Sequence, residues 1–172
     1  TTKTDFTITL DTKHKIKTGF TFTRHRLSPA TFSASIPRRG NRLKINVDSI
    51  YKLYSNEMAF YAGDEFDASS TFSMNYGIRV PLFTVSGKTY FFAEPRITTK
   101  LSVGPDASIK ASYTRMNQFL HLIPNSTAGL PTDIWIPSSN NTKPQSSTQY
   151  ALGYFKNFNP DSHRDNIIET SV

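Results

Sequence analysis

The sequence predicts an all-β chain, folded as one antiparallel up-and-down sheet of about eight strands. Three observations predict it. Apolar and polar residues alternate with period two along most of the chain. The connections sort by length, with short turns at one end of the sheet and long polar stretches mostly at the other. The 13 Phe and 8 Tyr, set among many Thr and Ser, are residue types that suit a pleated surface.

Asp5–Leu10 sets Phe6, Ile8 and Leu10 against Asp5, Thr7 and Thr9. His14–Arg24 sets Ile16, Thr18, Phe20 and Phe22 against Lys15, Lys17, Gly19, Thr21 and Thr23. Glu57–Asp64 offers Met58, Phe60 and Ala62. Ser70–Leu82 is the clearest strand: Phe72, Met74, Tyr76, Ile78, Val80 and Leu82 alternate with Thr71, Ser73, Asn75, Gly77, Arg79 and Pro81. Tyr90–Val103 places Phe91, Ala93, Pro95, Ile97, Thr99, Leu101 and Val103 opposite Tyr90, Phe92, Glu94, Arg96, Thr98, Lys100 and Ser102. Helical spacing would scatter these charges onto the apolar face, whereas a strand separates them. Ser108–Arg115, Gln149–Asn157 and Ile167–Val172 complete the set.

Asp11–Lys13, Glu65–Ala68, Gly104–Ala107 and Asn159–Asp161 read as short turns at one end. At the other end, His25–Asn56 and Asn117–Thr148 are long, polar and rich in Pro, Ser and Asn, and only the Val85–Lys88 hairpin is short. Transmembrane β-barrels have this asymmetry. A strand needs about 9–11 residues to cross the hydrocarbon core. Ser70–Leu82 and Tyr90–Val103 exceed that, with no charge on either apolar face. Tyr113, Tyr150 and Tyr154 then suit an interfacial aromatic girdle. An aromatic-rich soluble β-domain and a small eight-stranded outer-membrane barrel are the alternatives.

Composition bounds the chemistry. With no cysteine, disulfide scaffolds, thiolate metal sites and cysteine nucleophiles are excluded. No apolar run approaches the roughly 20 residues of a membrane-spanning helix. The net charge is +7, but it is dispersed and reads as that of a basic piece of something larger, with no nucleic-acid partner expected. The four histidines, His14, His25, His121 and His163, lack metal-ligand spacing to one another or to a carboxylate. No glycine-rich phosphate loop or nucleophile elbow is present. The expectation is a non-enzyme with no metal and no cofactor.

Several ordered motifs carry a resemblance. They are Asn75-Tyr76-Gly77-Ile78-Arg79, Ala93-Glu94-Pro95-Arg96, Ile109 to Gln118, Leu120-His121-Leu122, Pro131 to Ser138, and Ala151 to Asn157. Together they resemble barrel strands of the TonB-dependent outer-membrane receptors of Bacteroidetes-type bacteria, over roughly Glu57 to Val172. The match is to receptors that often carry a carboxypeptidase-like regulatory domain before the plug. The resemblance implies a transmembrane barrel of about 22 strands closed around a plug. It also implies import of a scarce solute such as a siderophore, haem, cobalamin, glycan or peptide. The implied partners are outer-membrane lipid, the solute, and the TonB complex reached through a plug region absent from this sequence. The 172 residues are thus expected to form a partial barrel wall from the C-terminal part of such a receptor.

The polar face of the two best strands then becomes lumenal, with Arg79, Glu94, Arg96 and Lys100 as a charge network that braces the wall. Recognition is expected on the long loops. Arg38 and Arg39, with Arg24, Arg26 and Arg42, make the first loop cationic. His121 and Trp135 belong to the second, where Trp135 joins Leu130, Ile134 and Ile136 in an apolar knot.

Overall fold

The computed structural model describes residues 1–27, 32–38, 41–47, 52–123, 134–158 and 167–171; for 32–38, 41–47, 134 and 167–171 it describes the backbone alone. The fold is all-β and antiparallel. Its strands are β1 (Thr2–Thr9), β2 (His14–Leu27), β3 (Phe32–Arg38), β4 (Asn41–Val47), β5 (Leu53–Asp67), β6 (Phe72–Val85) and β7 (Lys88–Phe91). There follow β8 (Glu94–Ser102), β9 (Ala107–Gln118), β10 (Leu120–Ile123), β11 (Ile134–Pro137), β12 (Gln145–Asn157) and β13 (Ile167–Ser171).

The main sheet runs β1-β2-β5-β6-β8-β9-β12-β13, so the eight expected strands form the expected meander. The sheet is open: β1 and β13 are its two edges, and they do not pair with each other. Among the described residues there is no closed barrel, large or small.

Two details correct the sequence reading. The long connections are not merely loops. The first carries the β3–β4 hairpin and the second the β10–β11 hairpin, each a separate two-stranded sheet. Their period-two signals, such as Leu43, Ile45 and Val47 between Arg42, Lys44 and Asn46, are short and set in polar surroundings. Secondly, the expected strand Tyr90–Val103 is split into β7 and β8. Pro81 on β6 lies opposite the break and has no N–H to donate, so Phe92 N–H to Pro81 O, at 3.3 Å, is the bond that bridges it.

Register aligns the two faces across the whole sheet. One transverse row reads Ile16, Asp64, Tyr76, Ile97, Tyr113 and Tyr150; the next reads Thr18, Ala62, Ile78 and Pro95. This apolar face is the exposed one, with Phe60 at 55%, Ile78 at 43% and Tyr150 at 74% of full exposure. The opposite face holds most of the charges, and on β5 and β6 it is the more covered, with Ser55, Ala59, Pro81, Phe83 and Val85 buried. Two close approaches on it require glycine. A Cβ on Gly19 would run into the Thr4 carbonyl oxygen and the Tyr61 hydroxyl, and one on Gly77 would lie 2.8 Å from the Cα of its ladder partner Gly63.

The one hydrophobic cluster among the described residues lies at the long-loop end, also on the charged side. Phe83 and Val85 of β6 pack with Phe119, flanked by Leu53, Tyr90, Phe92 and Leu120. The Phe83 and Phe119 rings stack at 4.8 Å. The β10–β11 hairpin is tied to this cluster through Ser138 N–H to Phe119 O at 2.7 Å and the Tyr90 hydroxyl to Ser139 O at 2.6 Å.

Candidate functional site

The covered face holds a network centred on Arg79. Its guanidinium is forked, donating to Glu94 Oε2 and to Glu57 Oε1, each at 2.8 Å. Glu94 is 4% exposed. Its second oxygen accepts from the Asn117 backbone N–H at 2.7 Å and from Asn117 Nδ2 at 3.2 Å. His25 Nε2 stands 3.6 Å from Glu57 Oε2, an ion-pair separation longer than a hydrogen bond. A buried carboxylate must have its lone pairs met, and here a planar fork, an amide and the backbone meet them. The network ties β5, β6, β8 and β9 together below the hydrophobic cluster.

Arg96 and Lys100, expected in this network, stand outside it. The ladder neighbours of Arg96 are Gly77 and Thr114, and those of Lys100 are Ser73 and Lys110; none is an acid. Both side chains are exposed. Glu57, His25 and Asn117 were not foreseen. Parity alone puts Glu57 on the Arg79 face, because it lies an even number of residues from Tyr61, the ladder partner of Arg79.

The rest of the covered face is charged but largely self-neutralised near β1, β2 and β5. Lys3 pairs with Asp5 at 2.9 Å, and Lys15 and Lys17 both pair with Glu65. Between β2 and β8 the face opens into a cleft of about 460 Å³, lined by Lys17, Tyr61, Asn75, Arg79 and Arg96 among others.

The loop candidates fare differently. Arg38 lies at the end of β3, where only backbone is described, and Arg39 lies outside the described residues. Arg42 has a described backbone only, and Leu130 lies outside the described residues. Arg24 is exposed, its guanidinium 5.3 Å from the Tyr54 ring. His121 is not on the loop surface as expected: it is buried, with Nε2 2.9 Å from Ser138 Oγ. Hairpin pairing explains this, since His121 and Ile136 share one side of β10–β11 while Leu122 and Trp135 share the other. Trp135 is half exposed on that outer side.

One further cluster was missed. Asp64 sits on the apolar face yet is only 8% exposed. Its Oδ2 is 2.6 Å from His14 Nδ1 and accepts from the Tyr76 hydroxyl at 3.1 Å, while His14 stacks on Phe66. The signal was again parity, since Asp64 follows Met58, Phe60 and Ala62 in step. At the nearby turn, Asp11 Oδ1 accepts from the Lys13 and His14 backbone N–H groups, both at 2.7 Å. Those two bonds lower the Asp11 pKa below the usual carboxylate range.

Among the described residues no cluster of three or more His, Asp or Glu side chains is placed to hold a metal ion. Among the described residues no helix is long and apolar enough to cross a membrane, which says nothing about crossing by strands. No family model, no curated protein and no solved structure matches the chain.

Proposed function

We propose that the chain is part of the barrel wall of a TonB-dependent receptor in a bacterial outer membrane, which binds a scarce solute outside the cell and imports it. The observation that carries this reading is the inside-out sheet. Across seven adjacent strands one face is apolar, and on β5 and β6 it is the more exposed one, while all the ion pairs but His14–Asp64 lie on the opposite face. In water this arrangement exposes its most apolar surface and gains nothing by doing so. In lipid the same face is the buried one, and the polar face becomes a lumen.

Strand length and edges support the reading. β2, β5, β6, β9 and β12 have 14, 15, 14, 12 and 13 residues, each beyond the roughly 9–11 needed to cross tilted. The outer edge of β1 presents unpaired backbone groups along eight residues, as do the free edges of any wall segment awaiting its neighbours. TonB and the plug enter only through the resemblance of the barrel motifs.

The test is fractionation of the full-length natural protein. The expected outcome is recovery in the outer membrane, release only by detergent, and a folded band on unheated gels whose mobility changes on boiling. A protein that stays monomeric in plain buffer overturns the reading and favours a soluble β-domain whose apolar face packs against a second layer.

A further inference from the structure

We propose that the covered face carries an oxyanion slot between Lys17 and Arg96, made for a carboxylate or phosphate group of a small solute. One transverse row of the sheet reads Lys17, Gly63, Gly77, Arg96 on β2, β5, β6 and β8. The two central positions have no side chain, so two cations flank a bare strip of backbone. The outer backbones are about 14 Å apart over three interstrand steps, a gap that long side chains enter from both sides. All four residues but Gly77 line the 460 Å³ cleft, and Gly77 lies beneath it in register.

The strip must stay bare, since a Cβ on Gly77 would come within 2.6 Å of the Ala62 carbonyl oxygen. The donors around it are unspent. Among the described residues the Arg96 side chain has no ion pair and the Asn75 side chain no hydrogen bond, and both line the cleft. Lys17 is bonded to Glu65, which holds it at the rim and halves the charge on that side. Arg79, spent on two carboxylates, contributes field rather than a free donor. A guanidinium and an amide beside a glycine floor form a donor set for a planar or tetrahedral oxyanion.

The slot lies nearer the short-turn ends of β5 and β6 than their long-loop ends. In the proposed barrel, on which the identification of the ligand as a transported solute rests, it is a station deep in the lumen rather than a recognition site at the mouth.

Isothermal titration of the full-length protein in detergent, with inorganic pyrophosphate and with citrate, tests this. Binding of either is expected, and which one binds separates phosphate from carboxylate. Arg96→Gln is expected to weaken binding by about tenfold, the loss of one charged hydrogen-bonding group. Asn75→Ala should weaken it in the same direction, whereas Lys100→Gln, on the same face outside the slot, should change it by less than about twofold. Absence of binding by folded protein overturns the slot, and so does an equal loss in Arg96→Gln and Lys100→Gln, which would mean diffuse attraction. The two proposals fail separately. A detergent-free soluble protein with Arg96-dependent binding removes the barrel and leaves the slot. A membrane protein without such binding removes the slot and leaves the barrel.

Discussion

Arg79 shows what a single side chain contributes. It holds two carboxylates, one of them almost wholly buried, with one guanidinium. Removing one partner of a buried pair costs about 3–5 kcal/mol because the remaining charges keep their desolvation penalty. Arg79 is itself partly exposed, so Arg79→Gln is expected at the lower end of that range. The check is the urea midpoint of the detergent-solubilised protein. Arg79→Lys should recover only part of the loss, since an ammonium cannot reproduce the planar fork. Asp11 supplies a second prediction. Its pKa is lowered in the folded state by two backbone N–H donors, so its contribution is fully present above the ordinary carboxylate pKa. That contribution is lost as pH falls through the lowered folded value. Amide exchange at Lys13 and His14, corrected for intrinsic rates, should therefore lose protection in that acid range, and Asp11→Ala should abolish the pH dependence.

Elements were most legible where alternation was long. Seven of the eight main-sheet strands run long enough for one parity to accumulate apolar residues, whereas β13, five residues long, was read from the Ile167–Val172 run without such a pattern. The same parity rule puts Glu57 on the Arg79 face and Asp64 on the apolar face, a signal the sequence reading left unused, but it shows only which residues share a face. Which long side chains then meet depends on register, and register is set by pairing. Hence Arg79 and Glu94 were foreseen together, while Arg96 and Lys100 were wrongly joined to them. The β10–β11 hairpin was missed because its four-residue strands are too short for a pattern to emerge from a polar connection. Its anchoring makes a prediction. Tyr90→Phe removes the hydroxyl that donates to Ser139 O, a bond worth about 1 kcal/mol. Trp135, the sole tryptophan, rides on that hairpin. Acrylamide quenching of its fluorescence is expected to rise in Tyr90→Phe, with the main sheet's circular dichroism unchanged.

At the scale of the whole molecule, the question is which solvent the apolar face meets. Ile78 and Thr98 make the decisive pair, because they occupy neighbouring strands, both stand exposed, and they point to opposite faces. If the apolar face meets water, Ile78→Lys changes an exposed side chain on a solvated surface and costs no more than about 0.5 kcal/mol. If it meets hydrocarbon, the same lysine costs about 2–4 kcal/mol near mid-bilayer, falling to about 0–1 near an interface. Thr98→Lys on the opposite, polar face should be near neutral in either case, apart from mild repulsion by Lys100 and Arg96. The expected result in lipid bilayers is thus a large asymmetry, with Ile78→Lys strongly destabilised and Thr98→Lys close to wild type. Carrying the substitution along the apolar face at Phe60, Ile97 and Leu152 should give a cost that rises and falls with depth. A soluble protein would give a flat profile, and a face packed against another protein layer would give costs that follow local contact instead of depth. Folding free energies of this series in vesicles, referenced to the Thr98→Lys control, therefore identify what covers the most exposed apolar surface of the chain.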